Sequence, residues 1–197
     1  MKIAIIQYNA GNTQSVIYAL SRLGINPILS DHPETIQNAD KVIFPGVGNA
    51  APAMQHLKKN NLDQLIPTLK QPFLGICLGM QLLCEHSEEE NTQGLGIFPI
   101  SVKKFNPTQS NLKVPHMGWN TLQTNPDSPL FRNLNPDPYF YFVHSYFVPK
   151  QEYTSATCQY DIPFSAAIEK DNFYAVQFHP EKSSKTGETL LQNFLTI

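Results

Sequence analysis

Short apolar runs alternate with amphipathic stretches through the first half of the chain. Residues 2–8, 25–29, 41–44 and 73–76 are compact apolar runs, the pattern of strands buried on both faces of a sheet. Val16, Ile17, Leu20 and Leu23 fall at helical spacing after the turn residues Asn9, Ala10, Gly11 and Asn12, and Gly24 stops that helix. Leu62, Leu65, Ile66 and Leu69 mark one face of a later helix, which delivers the chain to the run at 73–76. Strands and helices in this alternation predict right-handed crossovers and an α/β fold: a central, mostly parallel sheet flanked by helices. In such sheets functional sites gather at the carboxyl ends of the strands.

The texture changes after residue 90. Prolines accumulate at 99, 107, 115, 126, 129, 136 and 138, and short β-rich runs replace clear helices. The candidate strands are 97–105, 112–114, 139–148, 154–159, 164–168 and 173–178, so this half is expected to be more antiparallel. Residues 188–195 read as a closing helix, and SEEEN at 87–91 as a solvated loop. No linker separates the halves, which predicts one domain spanning residues 1–197.

Composition narrows the function by exclusion. A formal net charge of −2 leaves no electrostatic footprint for nucleic acid or an anionic membrane. No apolar segment approaches the roughly 20 residues of a membrane span, and the apolar run at the N-terminus is short for a secretory signal. Three cysteines, Cys77, Cys84 and Cys158, show no CxxC spacing, which argues against a disulfide framework or a structural zinc site. The expectation is a soluble cytoplasmic protein without metal or cofactor.

The chemistry concentrates in three places. The run at 73–76 leads at once into Cys77, and Gly79 opens a stretch of helix formers; strand, nucleophile, helix is the layout of a nucleophile elbow. At a helix N-terminus, unpaired amides and the helix dipole favour thiolate, and the next N–H, that of Leu78, points toward an oxyanion formed on attack. The run at 173–178 leads into His179, with Glu181 two residues on, a pairing in which a carboxylate orients an imidazole that takes a thiol proton. On the strand that precedes the elbow, PGVG at 45–48 exposes backbone N–H groups at a strand end. Taken singly, each has an ordinary reading: a buried cysteine, an exposed histidine in a turn, a glycine turn. Cys84, seven residues after Cys77 and two helical turns on, reads as a packed thiol.

Taken together, GICLGMQ at 75–81 and QFHPE at 177–181, in that order, resemble the class I (triad) glutamine amidotransferases over nearly the whole chain. The resemblance implies that Cys77 attacks the side-chain amide of L-glutamine, that His179 acts as base and then acid, and that Glu181 orients it. It places Gln81 against the bound glutamine and His144, Ser145 and Tyr146 around its amino-acid end. The oxyanion donors would be the amide of Leu78 and an amide of the turn Gly46, Val47 and Gly48, a turn whose glycines permit a switching peptide flip.

Within the family, YNAGNTQSV at 8–16, KVPHMGWN at 113–120, YFYFVHSY at 139–146 and HPEKSSKTG at 179–187 resemble the glutaminase subunits of imidazole glycerol phosphate synthases. That implies a heterodimer with a (β/α)₈-barrel cyclase, to which ammonia passes directly, with Trp119, Asn120, Tyr141 and Lys182 at the interface and ammonia gate. The products of such a complex are imidazole glycerol phosphate and an aminoimidazole-carboxamide ribotide. Glutaminase subunits of anthranilate, aminodeoxychorismate or pyridoxal phosphate synthases, a non-catalytic binding module, and a stand-alone cysteine hydrolase remain as alternatives.

Overall fold

The computed structural model describes residues 1–8, 13–106 and 112–197. The turn at 9–12, and with it most of what distinguishes YNAGNTQSV, lies outside the described residues. The first half runs β1 (Ile3–Ile6), α1 (Thr13–Arg22), β2 (Ile28–Ser30), α2 (Pro33–Gln37), β3 (Lys41–Phe44), α3 (Ala50–Lys59), α4 (Leu62–Leu65), β4 (Phe73–Ile76) and α5 (Leu78–Leu83). The second half adds β5 (Cys84–Ser87), β6 (Thr92–Gln93), β7 (Phe98–Lys104), β8 (His116–Thr121), β9 (Gln123–Thr124), β10 (Tyr139–His144) and β11 (Tyr146–Pro149). It closes with β12 (Thr154–Tyr160), β13 (Ile162–Lys170), β14 (Phe173–Val176) and α6 (Ser184–Thr196).

Among the described residues twelve strands form one sheet, ordered β2-β1-β3-β4-β14-β13-β11-β7-β5-β6, with β12 paired to β13 and β9 to β12. From β2 to β14 every pairing is parallel. From β14 to β7 every pairing is antiparallel, and β5 returns parallel beside β7. β8 and β10 form a separate antiparallel ribbon. Alternation along the strands divides the core between the two faces of the sheet. Ile3 and Ile5 of β1 pack with α1 and α6, whereas Ala4 and Ile6 pack with α3 and α5. No helix among the described residues is long and apolar enough to cross a membrane.

Several elements differ from expectation for local reasons. The strand expected at 25–29 begins only at Ile28, just past Pro27, and the helix expected through 62–69 breaks after Leu65 into a 3₁₀ turn containing Pro67. α3 was not expected, although its buried Ala50, Ala53, Met54 and Leu57 follow helical spacing. The run at 139–148 is two strands in two different sheets, divided at Ser145. Residues 112–114 form no strand; the strand is β8, a few residues on. SEEEN is solvated only in part: Glu88, Glu90 and Asn91 are exposed, but the buried Ser87 ends β5, Glu88 accepts the Lys104 amide, and Glu89 accepts that of Ala50. α5 ends at Leu83, so Cys84 starts β5 rather than extending a helix, and its thiol is fully buried.

Candidate active site

β3 and β4 are parallel neighbours, so the PGVG turn and Cys77 emerge side by side at their carboxyl ends. Cys77 caps α5 with φ 55° and ψ −109°, a backbone conformation that a residue with a side chain rarely adopts. Its own amide is held by the Val176 carbonyl of β14 at 2.7 Å. The close approach of the two turns needs a glycine after the elbow, because a β-carbon on Gly79 would overlap the Phe44 carbonyl oxygen. Tyr8 floors the same corner: a β-carbon on Gly46 would lie 2.7 Å from its hydroxyl.

β14 leads into the candidate acid–base pair. His179 is buried, and its Nδ1 lies 2.7 Å from Glu181 Oε1. A carboxylate can only accept there, so Nδ1 carries hydrogen and Nε2 faces the thiol side. Nε2 itself is buried, and its neighbour among the described residues is the Cys77 thiol. Burial opposes a charged ring, but the adjacent Cys77 and the Glu181 carboxylate outweigh it and raise His179 to about 10. Ser183 clamps the backbone here: its hydroxyl donates to the His179 carbonyl at 2.6 Å and accepts the Tyr141 amide at 3.0 Å.

The elbow opens into a cavity of about 320 Å³ lined by Val47, Gly48, Asn49, Cys77, Leu78, Gln81, Glu89, Pro115, Val143, His144, Ser145 and Tyr146. Val47 and Gly48 thus border the site, with Gly48 at φ 96°, whereas Gly46 packs beneath it against Leu78 and Gly79. Gln81 donates both amide hydrogens to the protein, to the Tyr146 carbonyl at 3.0 Å and to Gln177 Oε1 at 2.9 Å. Its own Oε1 is left to meet a ligand's donor. Gln177, fully buried, points its amide at Cys77 Sγ, 3.7 Å away.

Two groups that sequence reasoning did not assign therefore belong to the site. Gln177 lies in QFHPE, where the strand's alternation could have turned it inward with His179. Glu89 carried no local signal, since it reads as one of three adjacent acidic residues; burial raises its carboxyl above the usual range. The other thiols are spectators: Cys158 is pushed up to about 12 by burial, and Cys84 is raised for the same reason.

Of the residues expected at an interface, Trp119, Asn120 and Tyr141 lie on the ribbon of β8 and β10, and Lys182 ends the 3₁₀ turn that follows His179. Trp119 is 51% exposed and meets Tyr141 edge-on at 6.1 Å, while Lys182 Nζ lies 6.0 Å above the Tyr141 ring. The Tyr141 carbonyl accepts the His179 amide at 2.9 Å, so this surface is one hydrogen bond from the acid–base pair. Asn120 instead turns inward, with its amide donating to the Gln159 carbonyl.

Comparison with known proteins gives the family. The family model for glutamine amidotransferase class-I matches residues 4–197. The chain belongs to the class-I glutamine amidotransferases. This amidotransferase is 56% identical to the imidazole glycerol phosphate synthase subunit HisH of Bacteroides thetaiotaomicron, with all of both chains covered. It is 46% identical to the subunit of the same name from Vibrio cholerae, covering 99% of this chain and 98% of that one. Among solved structures, a chain of PurLQS from Thermotoga maritima superposes with a TM-score of 0.76 at 16% identity, covering 99% and 97% of the two chains, a likeness of fold alone.

Proposed function

We propose that this amidotransferase is the glutaminase subunit of an imidazole glycerol phosphate synthase. The observation that carries the chemistry is one cavity bordered by Cys77 on its positive-φ turn, with the His179–Glu181 pair behind it. Identity with relatives of that name over full length supports the choice of synthase.

Glutamine enters with its side-chain amide over Cys77, while Gln81 Oε1 and the Glu89 carboxylate accept from its ammonium group. The backbone of His144, Ser145 and Tyr146 borders its amino-acid end. Sγ attacks the amide carbon as the thiol proton resides on His179 Nε2, and the oxygen, now negative, takes the Leu78 N–H and an N–H of the Val47–Gly48 turn. The carbon–nitrogen bond breaks as His179 returns its proton to nitrogen, releasing ammonia and leaving a γ-glutamyl thioester. Water then attacks that carbonyl, giving its proton to His179, and the carbon–sulfur bond breaks to free glutamate and restore the thiolate pair. Glu181 holds Nδ1 throughout, so that Nε2 is always the nitrogen that exchanges protons.

The partner is a (β/α)₈-barrel cyclase, paired as a heterodimer and docked on the β8–β10 ribbon, with both subunits in the cytoplasm. Ammonia is mostly protonated in neutral water and unreactive as ammonium, so direct passage across a dry interface keeps it nucleophilic. The fold acts as a single domain, and the glycine turn at 46–48 serves as the element that docking switches. The deciding experiment measures glutamate release with and without the cyclase subunit and its nucleotide ligand. Strong stimulation, abolished in Cys77→Ala, is the expected result. Stimulation by a chorismate-using synthase instead would keep the chemistry and overturn the pathway.

A further inference from the structure

The inner face of the β8–β10 ribbon holds two histidines directly opposite each other, His116 and His144. Both are buried, and His116 is stacked between Tyr160, at 3.9 Å between ring centroids, and Phe142, at 4.8 Å. Their hydrogen bonds leave one arrangement of protons. His144 Nδ1 lies 2.7 Å from the Tyr146 carbonyl, which can only accept, so Nδ1 carries hydrogen. In a neutral ring Nε2 is then an acceptor, and it faces His116 Nδ1 at 3.0 Å, which must donate. His116 Nε2 is left bare and accepts from the Asn120 amide nitrogen at 3.4 Å. Burial lowers both rings well below the ordinary histidine range, to about 4 for His116 and about 3 for His144, which keeps them neutral as the chain of bonds requires.

This chain ends where substrate recognition begins. The Tyr146 carbonyl that receives His144 also receives the Gln81 amide, and Gln81 continues through Gln177 to Cys77 Sγ. At the other end, Asn120 is fixed by bonds to the Gln159 carbonyl and the Thr121 amide, next to the exposed Trp119. From Asn120 to the Tyr146 carbonyl each bond is donated toward the pocket, and Gln81 donates to the same carbonyl from the pocket side.

We infer that His116 is a positioning residue of the glutamine site. Its Nδ1–H, acting through His144, fixes the carbonyl from which Gln81 hangs, and its Nε2 ties that carbonyl to Asn120 on the ribbon. The inference rests on the glutaminase reading, and glutamine affinity is therefore measured on the full chain with Cys77→Ser, which needs neither turnover nor a partner. His116→Phe keeps a flat ring in the stack but leaves His144 Nε2 buried without a donor. His116→Asn places an amide N–H near where Nδ1 stood.

The expected result is glutamine affinity weakened about tenfold in His116→Phe, the scale of a buried acceptor losing its donor, and within about threefold of the parent in His116→Asn. Nitrogen-15 spectra of the imidazoles should show hydrogen on Nδ1 of both rings at pH 7.5. Unchanged affinity in His116→Phe, equal loss in both variants, or hydrogen on Nε2 of either ring would overturn the inference and leave the glutaminase reading standing. A Cys77→Ser parent that binds no glutamine would overturn both.

Discussion

At the scale of single residues, titration separates His179 from the pair His116 and His144. His179 sits against a carboxylate and a thiol and is raised; His116 and His144 sit among aromatic rings and are lowered. In the unfolded chain the latter pair titrates near 6.5, so between pH 6.5 and about 4 the unfolded chain binds protons that the fold refuses. Their contribution to stability is therefore complete above pH 6.5 and drains away as the pH falls toward 4. Replacing His116 by asparagine removes one such proton, and the acid slope of unfolding free energy should flatten by about 1.4 kcal/mol per pH unit inside that window. Urea titrations of both proteins from pH 7 to 4.5 measure this; parallel slopes would mean that His116 titrates normally in the fold. The difference between the histidines was only half legible beforehand. The HPE spacing marks His179 as chemical, but nothing local tells whether His116 and His144 face water or each other, since that depends on a strand pairing between residues 28 positions apart.

At the scale of elements, the elbow depends on how closely α5 approaches β3. A β-carbon on Gly79 would run into the Phe44 carbonyl, a rigid backbone neighbour that cannot rotate away. Gly24, after α1, has φ 76° but open space around it. The two alanine variants therefore separate contact from conformation. Gly24→Ala should cost about 1 kcal/mol, the strain of a left-handed backbone, with glutaminase activity intact. Gly79→Ala should cost about 3 kcal/mol and lose most activity, because the elbow and the PGVG turn are forced apart. Equal costs by urea unfolding would mean that the turns can separate freely. The elbow itself could be read from sequence, since strand, cysteine and glycine are contiguous. α3 could have been read from Ala50, Ala53, Met54 and Leu57, but alanines are weak markers of a buried face, and Pro52 disguises a first turn that tolerates it. The split of residues 139–148 could not, because the chain changes sheets at Ser145 without a glycine or proline to announce it.

At the scale of the whole molecule, the ribbon is where an apolar surface meets the active site from behind. Alternation along β8 and β10 turns Met117, Trp119 and Tyr139 outward, at 62%, 51% and 57% exposure, while Phe140 and Phe142 turn into the core. Large apolar side chains left outside, next to the carbonyl that holds the His179 amide, fit a surface meant to be covered. Trp119 stands at the centre of that face, edge-on to Tyr141, whose carbonyl holds the His179 amide. Central aromatic anchors carry about 2 kcal/mol or more of an interface's binding energy, so Trp119→Ala should weaken cyclase binding about 30-fold or more. The unstimulated rate of glutamate release should stay within about twofold, because no group in the pocket is touched. At saturating cyclase the same variant should release more glutamate than it delivers as imidazole product, since a gap at this position lets water reach the ammonia before the cyclase does. Titrating binding by calorimetry and comparing the two product yields checks both halves. Full affinity with balanced yields would place the docking surface elsewhere on the molecule, and the nearness of Trp119 to His179 would then be a matter of packing alone.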